Sequence, residues 1–344
     1  MLNRFSIDQA EEWDIIVRSF SDYDVYWLSG YVHAFQLHGD GEPILFYYEG
    51  KSTRGINVVM KRDIASTECF ENVLEKNKYY DFTTPYGYGG WLIEGDATIL
   101  LSDYEAWCRE NHIISEFVRF HPVLKNHSLV AGAYDVIPLG ETVVMDLSSS
   151  GIIWENTTSK NRNKIRKAQK NGIHIYNGRC PQFFETFRTI YNSTMDKDQA
   201  DAYYYFGEAF YKSILEDLPL NAQIFYAEYQ GQVIASSIML AVNGKMNYHL
   251  SGSLKSFQHL APTNLLLYHA ALWGYANGYK SLYLGGGVGS EEDSLLTFKR
   301  AFFRGELNRF YIGKKIFNQG VYDKLVEMRN DIPSESNFFP KYRA

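Results

Sequence analysis

The strongest constraint on this chain is a sequence pattern that occurs twice. The segment ILFYYEG at residues 44–50 is echoed by IFYAEYQG at residues 224–231. Each is followed by a second run suited to a β-strand, INVVMKR from Ile56 and VIASSIML from Val233. Paired runs rich in aromatic and β-branched residues are typical of β-hairpins. A self-similarity at this separation predicts two copies of one structural unit.

Each predicted hairpin precedes a helix and a further strand. Residues 102–111 lead into IISEFVRF, and residues 262–277 lead into KSLYLGG. Trp107 and Trp273 occupy matching places in the two helices. This order predicts an α/β (α+β) fold in which each unit has a mixed, mostly antiparallel sheet flanked by helices.

The length and composition of the chain agree with two domains. Its 344 residues are 45% hydrophobic and 16% aromatic, which is ample for two packed cores. We place the join near TVVMDLSSS, residues 142–150, where a strand ends in serines that can cap a helix. The predicted domains are therefore residues 1–148 and 149–316.

Periodicity in the second domain predicts a series of helices and strands. Helices are expected near residues 150–171, 180–194, 204–217, 262–277 and 293–303. Strands are expected near residues 173–177, 222–229, 232–241, 244–251, 280–284 and 308–313.

The composition argues against several classes of protein. No segment reaches the roughly 18 uninterrupted apolar residues of a membrane span, and the N-terminus lacks the apolar stretch of a secretion signal, so we expect a cytoplasmic chain. Cys69, Cys108 and Cys180 are widely separated and indicate neither a disulfide framework nor a zinc site. Histidines such as His249 and His269 lack metal-ligand spacing, and we assign no metal.

Positive charge is concentrated in NTTSKNRNKIRKAQKNG, residues 156–172. This segment carries six cations and no acid, whereas the whole chain has a net charge of −6. A helical wheel predicts that the cations face solvent and that one narrow stripe faces the core, formed by Trp154, Asn161, Ile165 and Ala168. The basic face is either a solvated helix whose last-turn cations offset the helix dipole or a phosphate-binding surface.

Three further segments make the chain resemble the Fem family of peptidoglycan bridge-forming aminoacyltransferases. They are RNKIRKAQKNGIHI at 162–175, YNSTMDKDQADAYYYF at 191–206 and LYLGGGVGSEEDSLLTFKRAFF at 282–303, with TPYGYGG at 84–90 as a weaker feature. The resemblance implies two tandem GNAT-like acyltransferase domains. It also implies that residues 317–344 pack back on the first domain.

The resemblance further implies an activity and its participants. Members of the family transfer an aminoacyl group from aminoacyl-tRNA to an amine of a cell-wall precursor, and no bound cofactor is expected. By motif, Phe298 and Lys299 line the active channel. The resemblance favours phosphate binding on the basic helix, through Arg162, Arg166 and Lys167. The phosphate could belong to tRNA, to a pyrophosphate on the acceptor, or to anionic lipid at the inner face of the membrane.

Other candidate substrate-binding residues each have two interpretations. Tyr86 and Tyr88 in TPYGYGG are platforms for a sugar or peptide, or they are packed under a loop. Gly286 in GGGVGS belongs to a substrate loop or to a flexible turn. Asp196 accepts a proton from the attacking ammonium or is an exposed acid. Lys299 itself either reaches the acyl group or snorkels from an amphipathic helix.

The sequence leaves two acyl donors open, aminoacyl-tRNA and acyl-CoA. GNAT enzymes bind the pyrophosphate of acyl-CoA at a glycine-rich turn, and here Ala261, Pro262 and Thr263 occupy that place. Because proline removes a backbone N–H, the CoA site is doubtful. An acyl-CoA-dependent N-acyltransferase acting on an amino sugar of a surface polysaccharide is the alternative enzyme. A non-catalytic GNAT-like binding module is the alternative of another class.

Overall fold

The computed structural model describes residues 1–329, 333 and 336–344. These residues pack into two compact units. Unit 1 comprises Met1–Leu139 and Phe310–Ala344, and unit 2 comprises Gly140–Arg309. The domain limits inferred from the sequence, after residues 148 and 316, remain a prediction. Within the described part of the chain no helix is both long and apolar enough to cross a membrane.

The helices and strands alternate along the chain. In the first part they are β1 (Leu2–Phe5), α1 (Ala10–Arg18), α2 (Ser29–His38), β2 (Glu42–Glu49), β3 (Arg54–Asp63), β4 (Tyr80–Thr83), β5 (Leu92–Glu94), α3 (Ala97–Glu110), β6 (Ile113–Arg119) and β7 (Asp135–Asp146). They continue with α4 (Ser150–Asn156), α5 (Ser159–Lys170), β8 (His174–Gly178), α6 (Pro181–Asp198), α7 (Glu208–Asp217), β9 (Ala222–Tyr229), β10 (Gln232–Val242) and β11 (Lys245–Ser253). The last are α8 (Pro262–Ala276), β12 (Ser281–Gly285), α9 (Ser294–Arg300), β13 (Asn308–Ile316) and α10 (Gln319–Glu327).

The two units repeat one topology. In unit 1 the strand order is β1-β2-β3-β4-β6-β13, and in unit 2 it is β7-β12-β11-β10-β9-β8. Each sheet is antiparallel except for one parallel pair, β4 with β6 and β11 with β12. A parallel pair needs a crossover connection, which α3 supplies in unit 1 and α8 supplies in unit 2. The predicted fold class, with two tandem GNAT-like domains, is confirmed.

The sequence echo corresponds to the same packing contact in both units. Trp107 of α3 packs against Phe46 of β2, with ring centroids 4.9 Å apart. Trp273 of α8 packs against Phe225 of β9 at 5.6 Å. Both phenylalanines are buried in the cores of their units, and full burial of such a side chain contributes about 1.5 to 3 kcal/mol. The repeated letters therefore reflect a repeated crossover helix packed on the first hairpin.

The predicted helix over residues 150–171 is interrupted. α4 ends at Asn156 because the backbone of Thr157 is extended, and the side chain of Thr158 caps α5 by accepting from Asn161 N. The backbone N–H of Thr158 donates instead to Ala301 O at 2.9 Å. The prediction of one continuous helix was therefore wrong, although most predicted elements of this half lie within a few residues of the observed ones.

The C-terminal segment packs on unit 1. Tyr342 is fully buried, shares a hydrogen bond with Ser115 at 2.8 Å and donates another to Asp81 at 3.1 Å. Arg343 pairs with the same Asp81, which is also bonded to Arg62. The buried Asp81 carboxylate therefore joins β4 to the end of the chain.

Candidate active site

The hydrogen-bonded ladder of unit 2 opens at the carboxyl ends of its two parallel strands. β11 pairs with β12 from Lys245, opposite Ser281, to Asn247, opposite Tyr283. β11 nevertheless continues to Ser253. In α/β sheets, ligands commonly bind in a crevice outside the carboxyl ends of the strands. The widening between β11 and β12 is therefore the candidate active site.

The corresponding parallel pair in unit 1 is closed. β4 pairs with β6 along its whole length, from Tyr80 to Thr83. Beyond it, Gly89 and Phe120 form a further parallel bridge. The TPYGYGG segment thus extends the ladder at the position where unit 2 has its crevice.

A β-bulge lies in the strand that borders the crevice. Ile238 of β10 faces Leu250, whereas the next residue, Met239, faces Tyr248, so His249 is the extra residue of β11. Bulges re-aim side chains and are frequent beside active sites. Burial lowers the pKa of His249 to about 3, and its imidazole is therefore neutral at physiological pH. The sequence prediction missed this feature, because no glycine or turn residue marks the position.

Lys299 places a buried ammonium at the end of β12. Only 8% of Lys299 is exposed, and Nζ donates a hydrogen bond to Gly286 O at 2.6 Å. Burial lowers the pKa of Lys299 to about 8, while the negative charge of Asp293 opposes this shift. The ammonium is thus the main form at neutral pH, and the side chain does not snorkel to solvent.

The glycines after β12 make this contact sterically possible. Gly285 has a φ of +81°, and a Cβ there would lie 3.2 Å from Lys299 Nζ. A Cβ on Gly287 would lie 2.2 Å from Glu291 O. Because a side chain at either position would collide or be strained, the GGG run forms a tight loop around the lysine rather than a flexible turn.

Asp293 ties this loop to the helix that carries Lys299. Its carboxylate accepts hydrogen bonds from Leu296 N at 2.8 Å and from Val288 N at 3.1 Å. Burial raises the pKa of Asp293, but the backbone N–H donors outweigh that effect and hold the pKa below its usual range. Asp293 is therefore an ionised N-cap of α9 that also fixes the glycine loop.

The Asp293 charge should be visible in the titration of Lys299. We expect Asp293→Asn to lower the Lys299 pKa further, because asparagine caps a helix equally well but removes the charge that favours the ammonium. The pH dependence of Lys299 reductive methylation, followed by mass spectrometry, measures this shift. Glu292→Gln is the control, since its carboxylate bonds Arg300. An unchanged Lys299 titration in Asp293→Asn would contradict the interpretation.

The residues beside Lys299 have packing and bridging contacts. Phe298 is half-buried on the core of unit 2, and its ring meets Phe302 edge-on at 5.5 Å. Arg300 pairs with Glu141 of β7 and with Glu292. These contacts hold α9 on both sides of the lysine, and they support Phe298 as a packing partner of the predicted channel.

The basic face of α5 is exposed, as its periodicity predicts. Asn161, Ile165 and Ala168 are buried, and the cations lie on the other side of the helix. Arg162 and Arg166 lie over the half-buried ring of Trp154, at 5.8 and 5.0 Å from its centroid. Lys167 donates to His259 O at 3.1 Å. Within the described residues none of the six α5 cations pairs with a carboxylate.

This basic helix is connected to the end of α9. Thr158 N and the Asn161 side chain both donate to Ala301 O, at 2.9 and 3.3 Å. Asn264 of α8 donates to Asn161 Oδ1 at 2.6 Å. Three helices of unit 2 therefore meet in one hydrogen-bonded group two residues after Lys299. The structure brings the start of the basic face and the Lys299 helix together.

The remaining candidates each have local packing or hydrogen-bond partners. Asp196 is exposed on α6 and accepts a hydrogen bond from Tyr205 OH at 2.8 Å. Tyr88 is buried in unit 1, where it packs edge-on against Tyr26, and Tyr86 is half-buried and stacked on Phe35. Their roles in substrate binding stay a prediction, and these contacts favour packing for Tyr88.

The turn before α8 lacks the features of a CoA pyrophosphate site. Ala261 has a φ of +59°, an unusual conformation for a residue other than glycine. Pro262 is the first residue of α8 and has no N–H to offer. A phosphate would thus find one donor fewer at this helix N-terminus.

Comparison with known proteins agrees with this geometry. Residues 157–300 match the family model described as "Acetyltransferase (GNAT) domain". The chain is 25% identical over 227 residues to the UDP-N-acetylmuramoylpentapeptide-lysine N(6)-alanyltransferase of Weissella viridescens, a match that covers 60% of this chain and 65% of that enzyme. The crystal structure of FemX superposes with a TM-score of 0.69 at 14% identity and covers 94% of this chain and 99% of FemX. Together these matches support a GNAT-fold protein that is similar to the Fem family.

A second solved structure has a similar fold. L-PGS from Bacillus licheniformis has a TM-score of 0.56 at 12% identity, covering 90% of this chain and 92% of that one. At such identities the solved structures show the fold alone. The alignment with the alanyltransferase spans less than two thirds of that enzyme, 65% of its length.

Proposed function

We propose that this chain is an acyltransferase of the Fem type, which moves an aminoacyl group from aminoacyl-tRNA to an amine of a cell-wall precursor. The observation that carries the proposal is the buried Lys299 ammonium beside the crevice of unit 2, held by Gly286 O at 2.6 Å. The name of the Weissella viridescens relative, an alanyltransferase acting on the lysine of a UDP-linked muramoylpentapeptide, supports the acceptor class.

The chemistry needs no covalent intermediate with the protein. The neutral amine of the acceptor attacks the ester carbonyl carbon of the donor, and a tetrahedral oxyanion forms. When the intermediate collapses, the bond to the ribose oxygen breaks, the nitrogen loses a proton and the ribose oxygen takes one up. A preorganised cation near the oxyanion stabilises this transition state. Lys299 is our candidate for that cation.

Two features of unit 2 support aminoacyl-tRNA as the donor. The turn at Ala261 and Pro262 lacks the glycines and the N–H expected where CoA phosphates bind. The face of α5 offers Arg162, Arg166 and Lys167 to a polyanion, and it is tied through Asn161 to the end of α9. Because tRNA is a polyanion with its acyl group at one end, both features favour aminoacyl-tRNA over acyl-CoA.

A transfer assay tests the proposal. We expect purified protein to move a radiolabelled aminoacyl group from charged tRNA to an amine-bearing muropeptide precursor. We expect acetyl-CoA to bind weakly, because the protein has no glycine turn to hold its pyrophosphate. Lys299→Met serves as the inactive control. Transfer from acyl-CoA to an amino sugar, with micromolar acetyl-CoA affinity by calorimetry, would establish the alternative enzyme. Binding of charged tRNA without transfer to any amine acceptor would indicate the non-catalytic module.

A further inference from the structure

Arg119, the last residue of β6, is fixed in one orientation within unit 1. Its Nε donates to Gly87 O at 2.9 Å. The guanidinium lies over the ring of Phe310, 5.1 Å from the centroid, and 6.0 Å from that of Tyr88. These two rings pack edge-on against each other at 5.5 Å. A planar guanidinium stacked in this way presents its remaining N–H groups as a fixed fork.

This fork has no counter-ion within the described residues. The Nη atoms of Arg119 donate to none of them, although the side chain is half-buried. By contrast, three other half-buried arginines of unit 1, Arg54, Arg62 and Arg343, each pair with a carboxylate at 2.5 to 2.8 Å. A partly desolvated charge without a partner is unfavourable, and an anionic ligand would relieve that cost.

The position of Arg119 is also that of a ligand site in this fold. It ends the strand that follows the crossover helix of unit 1, as Gly285 ends the equivalent strand beside Lys299 in unit 2. The loop that holds Arg119 packs closely on Tyr26, because Gly87 has a φ of +92° and a Cβ there would lie 2.5 Å from the Tyr26 ring. Although the β4–β6 ladder is closed, a donor held at the carboxyl end of a strand in such a sheet is well placed to bind a ligand at its edge.

We propose that Arg119 binds an oxyanion of the ligand, a phosphate or a carboxylate, through its two Nη groups. Two parallel N–H donors match the spacing of either group. We assign this anion to the acceptor, and that assignment rests on the proposed function. A UDP-linked muramoylpentapeptide, the substrate named for the relative, contains both a diphosphate and a peptide carboxylate.

Binding of simple anions tests this site without any transfer reaction. The parent for the test carries Arg162→Ala and Arg166→Ala, so that anions on the basic helix do not contribute. Calorimetry at low salt measures inorganic pyrophosphate and, separately, acetyl-Ala-Ala with a free or amidated C-terminus. We expect Arg119→Gln to weaken binding of at least one probe by about 10- to 100-fold.

Two further variants complete the test. Arg119→Lys should give intermediate binding, because it keeps the charge and loses the fork. Arg109→Gln, an exposed arginine that pairs with Glu105 on α3, should bind as the parent does. Loss confined to pyrophosphate identifies a phosphate site, and loss confined to the free peptide identifies a carboxylate site.

Several outcomes would overturn the proposal. They are equal binding by Arg119→Gln and the parent, or no binding of either probe to the parent at millimolar concentration. If Arg119→Gln melts at a lower temperature than the parent, the test relies on Arg119→Lys instead. If Arg119→Lys melts as the parent does and binds both probes with the affinity of the parent, the proposal is also overturned. Absence of aminoacyl transfer together with Arg119-dependent anion binding would refute only the proposed function and the acceptor assignment.

Discussion

Replacement of Lys299 by methionine should reduce aminoacyl transfer by about 100- to 1,000-fold, the loss typical for one oxyanion-stabilising group. Methionine keeps much of the apolar stem and removes the charge. Lys299 is buried and its Nζ donates to Gly286 O, so the methionine variant removes the charge at this position without opening it to solvent. The measurement is single-turnover transfer from charged tRNA, with kcat and KM determined separately.

Two controls separate charge from packing. Lys299→Ala removes both, and it should be as inactive as the methionine variant if charge is what matters. Lys314→Ala removes a half-buried cation of unit 1, which lies over the ring of Phe339 at 5.7 Å, and it should leave transfer unchanged. Near-parental transfer by Lys299→Met would show that Lys299 is a packing residue.

The pH dependence of transfer follows from the Lys299 pKa of about 8. The ammonium is required, so transfer should fall as pH rises through about 8. Burial disfavours the charged form in the folded state and lowers the Lys299 pKa from its ordinary value of 10.5 to about 8. Between pH 8 and pH 10.5 the lysine is therefore more fully protonated in the unfolded chain than in the folded one. Stability contributed by this group therefore rises with pH across that window. Lys299→Met should melt no lower than the parent at pH 7.

Features that depend on local sequence were predictable. The hairpins at Phe46 and Phe225, the crossover helices with Trp107 and Trp273, and the buried stripe of α5 all follow from periodicity within one element. Lys299 was identified by its motif. Its burial was not, because that depends on a loop folding back over α9 with positive φ at Gly285.

Features that depend on distant partners were missed. The break between α4 and α5 reflects a hydrogen bond from Thr158 N to Ala301 O, and no local pattern reveals it. The bulge at His249 exists only relative to the register of β10. Arg119 looks like an ordinary charge in the sequence. Its environment comes from the Gly87 loop, which lies 32 residues earlier in the chain.

The basic face of α5 should account for most of the salt dependence of tRNA binding. We expect the double change Arg162→Ala and Arg166→Ala to weaken tRNA binding by about 10- to 100-fold at low salt. It should also make the plot of log K against log salt less steep by about two, because each lost phosphate contact removes about one unit of slope. Arg166 is exposed and Arg162 is half-buried, and both lie over Trp154 without a carboxylate partner among the described residues, so the melting temperature should change little. Fluorescence anisotropy of labelled tRNA across a salt series measures both quantities.

The matched control for this surface is the pair Arg18→Ala and Arg109→Ala. These arginines lie exposed on α1 and α3, each paired with the carboxylate one turn before it, and their removal changes the net charge equally. If net charge alone governed binding, the control would weaken it as much as the α5 variant does. A second measurement uses vesicles that contain anionic lipid. If the α5 surface is specific for nucleic acid, the α5 variant should lose tRNA affinity without a matching loss of vesicle binding. Equal tRNA binding by parent and α5 variant at low salt would leave α5 as a solvated helix whose cations serve only its dipole.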